Sequence, residues 1–254
     1  MKIHILGCGT SSGVPRIGAD WGACDPKEPR NRRRRTAALV EHGATRILID
    51  TGPDMCEQLL SADVGTVDAV IWTHDHADHC HGIDDLRQIY HALGRPVTGY
   101  ARAATMEALE KRFGYVFQGK IGYPPTATIA PLEDGLVIGD IRVRVVDQPH
   151  GHIQSAGLRF ECDGRSIGYA TDFHAMTPDM EALYSDLDLW VVDALRRKPH
   201  PAHADLPSVL GWISQLRPRR SVLIHMDQSM DYRTLRRELP GDVEPAYDGM
   251  DITV

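Results

Sequence analysis

Short apolar runs that close on a polar or charged residue recur along this chain. Lys2 to Gly7 reads as a first strand, and an irregular stretch follows to about Arg34. Strands are predicted near 36–42 and 45–50, the second ending in Asp50-Thr51-Gly52-Pro53-Asp54, with a helix over about 53–62. Val67-Asp68-Ala69-Val70-Ile71-Trp72 reads as a buried strand, and Ile83 to Ala92 has helical spacing through Ile83, Leu86, Ile89, Tyr90 and Leu93. A short strand near 97–100 and a helix over 102–113 come next. Gly114 to Pro131, rich in glycine and proline, reads as a loop or lid. Hairpin-like strands follow at about 136–139 and 141–147, then at 155–161 and 165–170. Leu187 to Asp193 repeats the apolar-to-acidic pattern. A helix over 205–216, the strand Ser221–Ile224 ending at His225, a helix near 231–239 and a terminal strand close the chain.

The polar ends of these strands carry the chemistry. Thr73-His74-Asp75-His76-Ala77-Asp78-His79 follows directly on a buried strand, where a loop on a rigid support is a common place for an active site. Packing gives no reason to crowd so many costly polar groups together. His150, Asp172 and His225 each close a later apolar run, so four strand ends deliver ligands to one sheet edge. His74, His76 and His150 can hold one divalent metal, and Asp78, His79 and His225 a second, with Asp172 bridging. The positions left open for water mark a catalytic rather than a structural centre. Asp50 either orients a ligand histidine or caps the helix that follows it. Cys80 is expected to pack rather than to ligate.

Composition narrows this picture. The 254 residues form an ordinary globular mixture without a composition break, read as a single domain over 1–254. The opening apolar run is too short for a signal peptide, and none is long enough for a membrane span. Five scattered cysteines without a CxxC pair favour reduced thiols and a cytoplasmic setting. A net charge of −7 argues against a broad nucleic-acid surface. Two features suit an anionic substrate. Arg32, Arg33, Arg34 and Arg35 read either as a solvated loop or as a phosphate clamp. The glycine-rich turn Gly7 to Pro15, with Ser11 and Ser12, can bring backbone N–H groups to an anion, although it is not a Walker loop.

Thr-His-x-His-x-Asp-His with distant His, Asp and His resembles the metallo-β-lactamase-fold superfamily over essentially the whole chain. The resemblance implies an α+β fold, a four-layer αββα sandwich with two divalent ions (zinc or manganese, with iron possible) at one sheet edge. Leu6-Gly7-Cys8-Gly9-Thr10-Ser11-Ser12-Gly13-Val14-Pro15 is similar to the phosphodiesterase branch, which holds transfer-RNA 3′-processing nucleases and phosphoribosyl cyclic phosphodiesterases. Similarity to the latter extends through Asp20-Trp21-Gly22-Ala23-Cys24, Asp193, His203-Ala204-Asp205-Leu206 and Tyr247-Asp248-Gly249-Met250.

By this resemblance His203 is the catalytic histidine, with His200 competing, and Asp78 and Asp172 serve catalysis through the metals. Asp75 and Asp205 would orient water or ligands. The implied reaction is hydrolysis of a small cyclic or nucleotide-like phosphodiester by a metal-bridging hydroxide. An RNA-end phosphodiesterase, or a non-catalytic metal-binding accessory protein of cofactor biosynthesis, is the alternative, and a homodimer is possible. Two departures stand out. The first loop keeps only Cys24, and Gln228 stands three residues after His225, so the family's cysteine-built zinc site is not expected. Residues 151–171 leave room for a pair of strands but not for the nucleases' transfer-RNA arm.

Overall fold

The strands Thr45–Ile49 and Ala69–Trp72 run parallel, with Ile49 beside Ile71, and show how the chain sorts its apolar residues. Alternate side chains of a strand go to opposite faces. Ile47, Ile49, Ala69 and Ile71 enter a core between two sheets, whereas Leu48, Val70 and Trp72 enter a second core beneath helices. Strands buried on both faces read as near-continuous apolar runs, which is why these segments scarcely alternate.

The computed structural model describes residues 1–254. In chain order the strands are β1 (Lys2–Gly7), β2 (Ala37–His42), β3 (Thr45–Ile49), β4 (Ala69–Trp72), β5 (Val97–Ala101), β6 (Ala127–Pro131), β7 (Leu136–Ile138), β8 (Ile141–His150), β9 (Ile153–Cys162), β10 (Arg165–Ala170), β11 (Leu189–Asp193), β12 (Ser221–Ile224), β13 (Val243–Pro245) and β14 (Met250–Thr253). They form two seven-stranded sheets, ordered β14-β1-β2-β3-β4-β5-β6 and β13-β12-β11-β10-β9-β8-β7. Helices α1 (Met55–Ser61), α2 (Ala77–Cys80), α3 (Leu86–Leu93) and α4 (Ala103–Gln118) belong to the first half. Helices α5 (Pro178–Leu183), α6 (Leu206–Leu216) and α7 (Tyr232–Glu238) belong to the second. Met55, Leu86 and Leu109 seal the outer face of the first sheet, and Met180, Val209 and Leu235 join the core of the second. The result is the αββα, α+β sandwich of the metallo-β-lactamase fold.

Three elements depart from the sequence reading. Gly114–Pro131 is not one loop: α4 continues past a kink at Phe113 (φ −122°, ψ 31°) to Gln118, and Ala127–Pro131 is a strand at the sheet edge. β6 pairs only with β5, so its closing proline costs no ladder bond to a further strand. The expected helix over 53–62 starts at Met55, with Pro53 outside it. α5 went unpredicted, although Thr177 caps Met180 N–H and Pro178 occupies the first turn.

Strand register places the chemistry. β3, β4 and β5 run parallel in one sheet and β10, β11 and β12 in the other, so the polar residues after β3, β4, β10 and β12 emerge at one edge. His150, the last residue of the antiparallel β8, reaches the same place.

Candidate metal centre

Seven side chains converge at this edge as two half-sites. The donor atoms of His74, His76, His150 and Asp172 lie within 4.8 Å of one another, and those of Asp78, His79 and His225 form a second such group. Asp172 belongs to both. Its Oδ1 lies 3.5 Å from His150 Nε2 and 3.8 Å from His74 Nε2, and its Oδ2 lies 3.2 Å from His79 Nε2 and 3.4 Å from His225 Nε2. One carboxylate therefore turns one oxygen to each half-site, the geometry of a bridge.

The arrangement is costly unless cations fill it. His74 Nε2, His79 Nε2 and both ring nitrogens of His225 are buried without a hydrogen-bond partner. Such groups ordinarily find partners, and a full set of orphaned imidazole nitrogens aimed at shared carboxylates fits divalent metal. Surrounding groups fix the rings. Asp50 Oδ1 accepts from Thr73 N–H at 2.7 Å, and its Oδ2 accepts from Thr73 Oγ1 at 2.8 Å and lies 2.7 Å from His79 Nδ1. His150 Nδ1 donates to the Ala202 carbonyl at 2.7 Å. In both histidines Nε2 is left for a metal. Asp50 thus meets a ligand histidine rather than capping α1. Cys80 is buried and its thiol faces the backbone carbonyls of Asp75 and His76.

Backbone strain collects here as well. Asp50, Asp172 and His225, all just past parallel strands, have φ of 65°, 55° and 56°. This left-handed region is sparsely populated by non-glycine residues and costs on the order of 1 kcal/mol or more at each.

Other expected site residues lie differently. Ser11 and Ser12 are exposed on a turn whose neighbour Thr10 donates to the carbonyl of Met226, the residue after His225. Arg32–Arg35 line one cavity with Ser12, and their guanidinium groups are largely engaged by the protein itself. Arg33 is 2% exposed and its guanidinium donates to the carbonyls of Asp227 and Met230. Arg34 is held by Asp248, Glu57 and Ser61, Arg35 pairs with Asp54, and Arg32 lies over Trp21. The Asn31–Asp231 contact and the carbonyls of Asp227 and Met230 make this run a structural tie between the first loop and the segment after β12. Asp75 pairs with Arg112 of α4, and Asp205 caps α6 by accepting from Ser208 N–H.

His203 does reach the centre. Its Nδ1 lies 2.9 Å from Asp193 Oδ2 and 3.7 Å from Asp172 Oδ1, and its ring stacks 4.8 Å from that of His225. His200 stands behind it, ring to ring at 5.0 Å. Asp193 stands out in the sequence as the acidic end of the apolar run from Leu187, and again within the family pattern. The signal that places it at the site is its position at the end of β11, between the strands that deliver Asp172 and His225. A groove of about 960 Å³ opens beside the ligand loops, walled by Asp75, Arg102, Asp147, Gly151 and His152.

The electrostatics couple metal to protons. Burial alone would lower His79, but the carboxylates of Asp172, Asp78 and Asp50 outweigh it and hold the imidazolium well above the ordinary range. Burial opposes His225 in the same way, and Asp172, Asp78 and Asp193 still raise it to about 9. Asp78 and Asp172 are held low against burial chiefly by these two histidines, while burial lowers His74 and His150. Stripped of metal, the protein gains from His225 protonation a stabilisation that is complete below about pH 6.5 and lost as pH rises through about 9. Its melting temperature is expected to fall from pH 7 to 10, by up to about 3 kcal/mol in stability, and the metal-loaded protein to lack this slope. Thermal melts of chelator-treated and loaded samples check this, and parallel slopes would refute it.

Comparison with known proteins follows the same geometry. Residues 45–226 match the β-lactamase superfamily domain. A solved diphosphatase of the PhnP family superposes with a TM-score of 0.91 at 30% identity, covering 100% of this chain and 97% of that one. The short form of human tRNase Z superposes with a TM-score of 0.73 at 18% identity, covering 100% and 99%. An octanoyltransferase of Porphyromonas gingivalis is 31% identical over 261 residues, covering 100% of this chain and 52% of that protein. The chain thus spans about half the length of this curated relative. It belongs to the β-lactamase superfamily, whose domain spans most of its length.

Proposed function

We propose that the protein hydrolyses a small cyclic or nucleotide-like phosphodiester, of the phosphoribosyl cyclic phosphate type, at a dinuclear metal centre. His74, His76, His150 and Asp172 would hold one ion, and Asp78, His79, His225 and the other Asp172 oxygen the second. Zinc, manganese and iron all suit this N/O set. Two bound divalent ions supply an acidified water and neutralise charge on a phosphoryl group.

The observation that carries the reading is the His203–Asp193 pair at the rim of this cluster. Asp193 takes the Nδ1 proton and fixes the ring, so Nε2 is the nitrogen left to protonate a departing alkoxide. Such a proton is needed by a diester with an alkyl leaving group. The groove beside Asp75 and Gly151 offers room for the remainder of a nucleotide-sized molecule.

The 30%-identical diphosphatase favours a second reading, cleavage of a diphosphate linkage. The reacting phosphoryl centre is the same, but a phosphate leaving group needs little help from an acid. Long RNA suits the site less. β9 and β10 fill the chain between His150 and Asp172, and the net charge is −7. All five cysteines are unpaired, which suits a reducing cytoplasm, and no helix is long and apolar enough to cross a membrane.

Turnover of a five-membered cyclic phosphate, a dinucleoside diphosphate, a short oligoribonucleotide and bis-p-nitrophenyl phosphate by the metal-loaded protein separates these readings. The cyclic phosphate is expected to give the highest kcat/KM. Inactivity on all four with zinc, manganese and iron would overturn the enzymatic reading.

A further inference from the structure

A second cluster of metal-binding side chains lies at the opposite end of the sandwich. His42 closes β2 in the first sheet, and Cys162 with Asp163 begins the turn from β9 to β10 in the second. The His42 imidazole, the Cys162 sulfur and an Asp163 carboxylate oxygen lie within 4.8 Å of one another. His42 Nε2 stands 3.2 Å from Asp163 Oδ2. β9 starts at Ile153, paired with the ligand His150, and runs 10 residues to Cys162. At about 3.3 Å per residue the cluster is therefore roughly 30 Å from the catalytic edge.

Hairpin chemistry accounts for only part of this. Asp163 and Gly164 have φ of 51° and 71°, the paired left-handed conformation of the turn that Asp-Gly favours between antiparallel strands. That explains the Asp-Gly sequence. It does not require a thiol just before the turn or an imidazole reaching it from the other sheet. A simple His42–Asp163 ion pair would likewise be indifferent to sulfur.

We propose that His42, Cys162 and Asp163 form a structural site for a zinc-type divalent ion, clipping a turn of one sheet to a turn of the other. A thiolate and an imidazole with one carboxylate are a borderline-soft set, which favours zinc over magnesium or calcium, and solvent completes a tetrahedron. Binding exchanges the Cys162 S–H proton for a sulfur–metal bond and releases that proton to solvent. Access is open, since the side chains of His42 and Asp163 are 24% and 79% exposed. Asp140, on the neighbouring β7–β8 turn, lines the same cavity as Cys162 and Asp163 and adds negative charge there. The role is separate from the proposed hydrolysis. It is also built from different residues than the family's first-loop cysteine site, of which this chain keeps only Cys24.

Cobalt(II) titration of the protein, with its catalytic metals in place, tests the site. The catalytic ligands are all nitrogen and oxygen, so only a cysteine can produce a near-ultraviolet sulfur-to-cobalt charge-transfer band. Wild type and Cys56→Ser, which removes the exposed cysteine, are expected to develop this band with one added equivalent and lose it to zinc. Cys162→Ser is expected to lack it, and His42→Ala to require at least tenfold more cobalt. Far-ultraviolet circular dichroism confirms that each variant is folded. No band in wild type, a band that survives Cys162→Ser, or unchanged cobalt affinity in His42→Ala would each overturn the proposal.

Discussion

Asp172→Ala is expected to abolish measurable turnover and to cut bound metal from two ions to one or fewer per chain. The carboxylate is 2% exposed and faces five imidazoles, with Oδ1 towards His74, His150 and His203 and Oδ2 towards His79 and His225. Removing it deletes a ligand from each half-site at once and leaves the two raised histidines short of a counter-charge. Breaking a buried charged contact by removing one partner costs about 3–5 kcal/mol, or two to more than three orders of magnitude in an equilibrium constant. Asp172→Asn keeps the shape and one acceptor oxygen, so it is expected to lose one ion preferentially. Metal analysis by mass spectrometry, run beside diester hydrolysis, distinguishes these outcomes. Two retained ions with full activity in Asp172→Ala would remove the bridge from the mechanism.

The candidate ligands are legible in the sequence because metal chemistry forces polar residues into places where packing would exclude them. His74 stands two residues past the end of β4, and Asp172 and His225 close runs that are otherwise apolar. Each is visible as an interruption of a buried strand, without any knowledge of the third dimension. Asp50 was visible for the same reason, but whether it served the helix after it or a histidine elsewhere depended on the β3–β4 register, which brings Thr73 and His79 to it. The partners of the arginine run were not legible, because composition reports charge and not partners. Arg33 buries its guanidinium among loop carbonyls 194 to 197 residues away in sequence, and no local pattern announces such a contact. The same limit applies to Asp205 and Asp75, whose carboxylates are consumed by a helix start and by Arg112. Elements at the margins were the hardest to see. β6 is an edge strand and α5 is six residues long, so neither carries enough periodicity to stand out from the turns around it.

His203→Ala is expected to lower kcat by about 10²–10⁴ for a diester with an alkyl leaving group, with bound metal unchanged. The loss should shrink to less than about tenfold for a p-nitrophenyl ester, whose leaving group departs without a proton. This contrast matters because His203 also lies within 4.8 Å of Asp172, Asp193 and His225 donor atoms, close enough for a ligand role. A ligand and a proton donor fail differently: loss of a ligand lowers metal content and slows both esters alike. The geometry favours the donor, since Nδ1 is taken by Asp193 at 2.9 Å and the ring stacks on His225. Asp193→Asn should then show the same leaving-group dependence at smaller magnitude, because the ring is still present but no longer held in one tautomer. His200, behind His203 and without a contact to a ligand carboxylate, should change kcat little when replaced by alanine. Equal losses on both esters for His203→Ala, or a larger loss for His200→Ala, would move the proton donor elsewhere in the site.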